Sequence, residues 1–223
     1  MAQDHGLTGM ATASESSAPQ SAVKAFYWRK LFSFLGIVPL GVYVIWHLWN
    51  NAYALIGAEP FDQRLREVVG APFYRPLVIL LVYMPLLYHA IYGTFISARS
   101  RPNLGTMPHY TNLKYLLRRI SGIGVLLFVG AHVYKTTLEP RLEGYEIDFH
   151  HMREGLSEPL TFAVYVLGLT GVAYHLADGL WLFGVEHGLW TGEHGMRRAE
   201  SLTIGFGLLL LIGFGLTLTA FLR

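Results

Sequence analysis

Five apolar stretches divide this chain, at approximately 31–56, 76–97, 116–138, 159–183 and 202–222. Each is long enough to cross ~30 Å of hydrocarbon, which takes about 20 helical residues. In lipid a segment must satisfy its own backbone hydrogen bonds, so separate apolar runs of this length are expected as helices. Charges and turn formers are confined to the gaps: "GAEPFDQRLREVVGAPFYRP", "SARSRPNLGTMPHYTNLKY", "EPRLEGYEIDFHHMREGLSEP" and "GVEHGLWTGEHGMRRAE". Charged residues make up only 14% of the chain, against roughly 25% in soluble domains. The expected fold class is therefore an all-α integral membrane protein, a bundle of five transmembrane helices over residues 25–223. Residues 1–24 are expected to form a polar, disordered tail. The opening "MAQDHGLTGMATASESSAPQ" has no charged segment followed by an apolar one and does not read as a cleaved signal peptide. Pro39 and Pro85 fall inside spans, where neighbouring helices can absorb a kink.

Lysine and arginine set the expected direction of threading. The N-terminal segment and the second and fourth loops share one side and carry ten: Lys24, Arg29, Lys30, Arg99, Arg101, Lys114, Arg118, Arg119, Arg197 and Arg198. The other side carries seven and most of the acids. The N-terminus is thus expected in the cytoplasm and the C-terminus outside, in a cytoplasmic membrane. A formal net charge of +2 gives no basis for nucleic-acid binding. Cysteine is absent, which excludes disulfides, iron–sulfur clusters, thiolate zinc sites and haem attached through C-x-x-C-H in this chain.

Four of the ten histidines lie inside spans, His47, His89, His132 and His175, at spacings of 42, 43 and 43. An ionisable side chain in a membrane span is costly and points to function. Each histidine occupies the C-terminal half of its helix, and successive helices run in opposite directions. His47 and His132 therefore share one depth, toward the outer surface, and His89 and His175 share another, toward the cytoplasm. Two layers of two facing histidines follow. Zinc is poorly served by two ligands. Haem suits the arrangement, because porphyrin supplies four nitrogens and two imidazoles close the coordination sphere, leaving the iron to carry electrons.

Small residues mark room for a flat macrocycle. Gly93 follows His89 by four residues and Gly179 follows His175 by four, each returning to the same helix face. Gly36 and Ser121 precede His47 and His132 by eleven, about three turns. Each should then lie beside the layer its own helix does not ligate. Singly, such a residue reads as helix packing through small side chains; matching positions on alternating helices carry more. Haem propionates are expected to meet Arg29, Lys30 and Ser33 at the start of the first span and Arg119 at the start of the third. Asp178, three residues after His175, is expected to be solvated at the interface.

The motifs "WHLW" at His47, "YHAIYG" at His89, "RRISGIGVLLFVGAH" ending at His132 and "AYHLADGLW" at His175 resemble a known family. Over about residues 25–222 the chain is similar to the dihaem cytochrome b membrane anchors of type B succinate:quinone oxidoreductases, the succinate dehydrogenases and fumarate reductases. The resemblance implies two haem b groups, a distal one on His47 and His132 and a proximal one on His89 and His175. It implies a flavoprotein subunit and an iron–sulfur subunit as partners, and quinone, with menaquinone expected, reacting near the distal haem. Glu59, Asp62 and Glu67 in the first outer loop are the candidate proton donors there. This chain has no flavin-binding G-x-G-x-x-G unit, so dicarboxylate chemistry belongs to a partner. One alternative keeps the haems but places the chain in a hydrogenase or formate dehydrogenase-like complex. Another treats the histidines as a proton relay in a transporter without haem, which the apolar neighbours Trp46, Leu48, Leu87, Ala131, Val133 and Leu176 disfavour.

Overall fold

The computed structural model describes residues 17–99 and 110–223, which contain helices and turns and no strand. Five helical segments are long and apolar enough to cross a membrane: Gln20–Leu55, Tyr74–Ala98, Asn112–Glu143, Pro159–Glu186 and Gly192–Ala220. The expected five-span architecture is the one observed, with longer spans than the apolar cores alone mark. Residues 1–16 of the expected tail, with His5, lie outside the described residues, as do Arg101 and His109. Residues 17–24 are helical.

Proline shapes three of the spans. The first is built from α1 (Ser17–Ile37) and α2 (Pro39–Asn51), joined at Val38 directly before Pro39 and closed by a 3-10 turn over Ala52–Leu55. After α3 (Ala58–Gly70), the second span begins as α4 (Tyr74–Val78), passes through a π-helical stretch at Ile79–Tyr83 and continues as α5 (Met84–Ala98). In the third, α6 (Tyr110–Val133) passes through another π stretch, Tyr134–Leu138, into α7 (Glu139–Glu143). Each π stretch ends two residues before a proline, Pro85 or Pro140. Proline has no N–H to donate and its ring crowds the preceding turn, so the helix widens there rather than breaking. The remaining elements are α8 (Phe149–Ser157), α9 (Pro159–Glu186) and α10 (Gly192–Ala220).

Helix α9 is the centre of the bundle and packs against α6, α10 and α1. Small residues let α10 approach: a methyl group on Gly207 would stand 3.0 Å from the Ala177 Cβ, and Ala173 is completely buried. Outward faces are apolar instead of polar. Leu80, Ile91, Leu127, Leu167 and Leu209 are all exposed, which costs nothing against lipid tails and would be a liability in water.

The short helices α3 and α8 close the bundle at the face opposite the N-terminus of α1. Phe61 of α3 and Phe149 of α8 pack with Ala54, Leu218 and Phe221. Polar bonds fix the cap. Asp148 caps α8 by accepting from the His151 backbone N–H at 2.7 Å, and the Phe149 backbone N–H donates to Asp62 Oδ1 at 2.7 Å.

Candidate functional site

The four span histidines come together as two separate pairs. His47 of α2 faces His132 of α6 with ring centroids 5.8 Å apart and planes at 80°. His89 of α5 faces His175 of α9 at 6.2 Å and 85°. A methyl group built on Gly36 would stand 2.6 Å from His89 Cε1, so the first span carries His47 in one pair and abuts the other. Eleven residues separate these positions, placing the pairs about 16 Å apart along that span.

The remaining ring nitrogens show which atom is available to a metal. His89 Nδ1 lies 3.2 Å from the Phe32 carbonyl oxygen and must donate to it. His175 Nδ1 lies 3.2 Å from Ser121 Oγ, whose own hydrogen goes to the Arg118 carbonyl oxygen at 3.0 Å. Ser121 therefore accepts, and His175 carries its hydrogen on Nδ1. His132 Nδ1 lies 3.1 Å from the Tyr165 hydroxyl. In these three the partner occupies Nδ1 and leaves Nε2 for a metal, the usual division of labour in a ligating imidazole. His47 differs: its Nε2 is 3.3 Å from the Asn51 side-chain amide, which also donates to the His47 carbonyl oxygen at 2.8 Å. A metal on His47 Nε2 displaces the longer contact and leaves the shorter one.

The donor set fits haem. Among the described residues no three His, Cys, Asp or Glu side chains converge as metal ligands, so each pair offers two imidazoles and falls short of the three or four ligands zinc takes. Porphyrin would bring four nitrogens and leave up to two axial positions, which one imidazole pair can fill. The two rings of each pair face one another at 5.8 and 6.2 Å with their planes nearly perpendicular.

Packing around the pairs is tight. Phe32 stacks on His89 at 4.2 Å and 6°, and Gly93 makes room for it, since a methyl group there would meet Phe32 Cε2 at 3.2 Å. Gly122, next to Ser121, gives the His175 ring room on α6, since a methyl group there would stand 3.2 Å from His175 Cε1. Gly179 makes only ordinary contact with Ile37. In the other layer Phe128 stacks near His132 and fills a notch at Gly168, where any Cβ would collide with its ring. Phe32, Gly122, Phe128, Tyr165 and Gly168 were not singled out by sequence. The signal for Tyr165 was present: it precedes His175 by ten residues, close to three turns, as Ser121 precedes His132 by eleven.

Overpacking at such a contact destabilises by about 1–3 kcal/mol. Gly36→Val should lower the unfolding midpoint of the detergent-purified protein, measured by circular dichroism. Gly124→Ala, which opens onto nothing within 4 Å, should leave it unchanged or raise it.

Other candidates are placed as follows. Ser33 is buried, Arg29 is exposed, and Lys30 lies over the Phe26 ring and lines an apolar groove with Tyr27, Trp28, Leu31, Phe34 and His187. Arg119 lies over the Tyr115 ring. Glu59 pairs with Arg66 and Glu67 with Arg64, both on the exposed side of α3, whereas Asp62 is held by the α8 cap. Arg64 also donates to Asn50 Oδ1 at 2.7 Å, tying α3 to the first span three residues past His47. Asp178 departs from the expected interfacial solvation. It is buried, and Arg118 binds it through two nitrogens at 2.5 and 3.2 Å. Lys114 lies 3.9 Å from it and bridges to Glu200 at 2.9 Å. A carboxylate this deep requires a cation, and α6 supplies two.

Five membrane spans enclosing two opposed imidazole pairs define a multi-pass membrane protein of the cytochrome b type. The succinate dehydrogenase cytochrome b558 subunit of Bacillus subtilis (strain 168) is 34% identical over 184 residues, which cover 82% of this chain and 91% of that protein. No family model matches the chain. The chain belongs to the family of type B succinate:quinone oxidoreductase membrane anchors, as a succinate dehydrogenase cytochrome b subunit.

Proposed function

We propose that this subunit binds two haem b groups and conducts electrons between the iron–sulfur subunit of a succinate dehydrogenase and membrane quinone. The observation that carries this is the pairing of all four span histidines into two layers, at 5.8 and 6.2 Å. His89 and His175 hold the proximal haem and His47 and His132 the distal one. A bound haem supplies one-electron redox chemistry at each layer. The chain contributes orientation and dryness: the Phe32 carbonyl fixes the tautomer of His89, the Ser121 and Tyr165 hydroxyls meet Nδ1 of His175 and His132, and Phe32 and Phe128 pack against the rings. Two imidazoles per layer would fill the positions at which a small ligand could bind the metal.

The N-terminal face, which carries the excess of lysine and arginine, is the cytoplasmic face on this reading, and the flavoprotein and iron–sulfur subunits dock there. Gly36 gives room to the His89 ring, Gly93 to Phe32 stacked on it and Gly179 to Ile37, Ser121 meets the His175 ring, and Arg29, Lys30, Ser33 and Arg119 meet the propionates. Quinone, expected to be menaquinone, reacts near the distal pair. Glu59, Asp62 and Glu67 are the proton donors available on α3, with Glu67 linked through Arg64 to Asn50.

Purified complex tests the reading. A pyridine haemochrome assay should give two b-type haems per copy of this chain, and succinate should reduce them. Complex without haem would sink the cytochrome function. Haems that succinate leaves oxidised while hydrogen or formate reduces them would move the chain to a hydrogenase or formate dehydrogenase-like complex.

A further inference from the structure

A metal on one imidazole nitrogen leaves an N–H on the other, and an N–H without an acceptor is expensive in a membrane interior. The structure supplies acceptors in a reciprocal pattern. Helices α6 and α9 run antiparallel, and each carries one ligand and one hydroxyl about three turns away: His132 with Ser121, and His175 with Tyr165. They exchange them. Ser121 of α6 serves His175 of α9 at 3.2 Å, and Tyr165 of α9 serves His132 of α6 at 3.1 Å. His89 uses a backbone carbonyl instead.

The His175 contact belongs to a closed circuit. Ser121 Oγ accepts from His175 and donates to the Arg118 carbonyl oxygen. The Arg118 guanidinium binds Asp178, less than one turn past His175 on α9. Two bonds from α6 thus fix both the rotation of α9 and the ring it carries.

Resting on the haem reading above, we propose that Ser121 and Tyr165 are positioning residues that set the redox potentials of the two layers separately, each acting on the ligand carried by the other helix. An acceptor at Nδ1–H increases the donor strength of the imidazole toward iron and so favours the oxidised metal. Removing the acceptor raises the midpoint potential of that layer alone.

The test is an optical redox titration of the purified complex carrying Ser121→Ala, Ser121→Thr or Tyr165→Phe. The two components are assigned by their disappearance in His89→Ala and His47→Ala. Ser121→Ala should shift upward only the component that His89→Ala abolishes, and Ser121→Thr, which keeps the hydroxyl, should restore it. Tyr165→Phe should shift upward only the other component. Loss of that haem with no shifted component in any of the variants would make the hydroxyl a structural support and overturn the proposal. Unmoved midpoints in both variants, or both components shifting together in each, would overturn the proposal while leaving the haem reading intact. A wild type without two components would overturn the haem reading itself.

Discussion

Alanine at His89 should leave one haem per chain, alanine at His47 should leave the other, and the two spectra should add up to the wild type. Each substitution removes one of the two imidazoles proposed to hold a macrocycle. Losing a mere hydrogen-bond partner of a metal ligand costs about 10–100-fold in affinity, and losing the ligand itself costs more. The affected layer should purify empty. Independence follows from geometry: each pair draws on two different spans, and the pairs lie about 16 Å apart along the first span. Succinate-dependent quinone reduction should fall with either variant, because on the proposed function electrons would cross both layers in series. His150→Ala, at an exposed position in α8, should keep both haems and full activity. The proton-relay alternative predicts no haem in any of these proteins, so the wild-type spectrum decides against one of the two readings at once.

The spans were legible because an apolar run of twenty residues declares itself without any partner. Their ends were not. Gln20–Leu55 begins eleven residues before the apolar core expected at 31, because Lys24, Arg29 and the aromatic residues between them continue the helix. Helices α3 and α8 stood in sequence as loops, since each buries only a few side chains, Phe61 in one and Phe149 and Leu156 in the other. The histidine ladder was legible for a different reason: near-equal spacing on antiparallel helices forces equal depths. Which face a neighbour presents was harder. Spacing picked out Ser121 as a gap, and the structure uses its hydroxyl as an acceptor while Gly122 beside it makes the close approach. Asp178 could not be read correctly alone, because its partner Arg118 lies 60 residues away on another span.

That ion pair gives the largest expected effect on stability. The Asp178 side chain is only 3% exposed and Arg118 is 24% exposed. Arg118→Ala strands a carboxylate among apolar helices, and removing one partner of a buried pair typically destabilises by about 3–5 kcal/mol. Lys114, 3.9 Å away and shared with Glu200, offsets part of this, so the lower end of that range is expected. Arg118→Lys keeps the charge but cannot hold both carboxylate oxygens with a planar fork, and should fall between alanine and wild type. Asp178→Asn should be milder than Arg118→Ala, because the guanidinium left behind reaches solvent more easily than the carboxylate does. Replacing both partners by leucine should recover much of the loss, since an apolar pair carries no desolvation penalty. The measurement is the thermal midpoint of the purified protein for the three single variants and the double variant. If Arg118→Ala is no less stable than the double leucine variant, the circuit that aims His175 does not depend on charge compensation at Asp178.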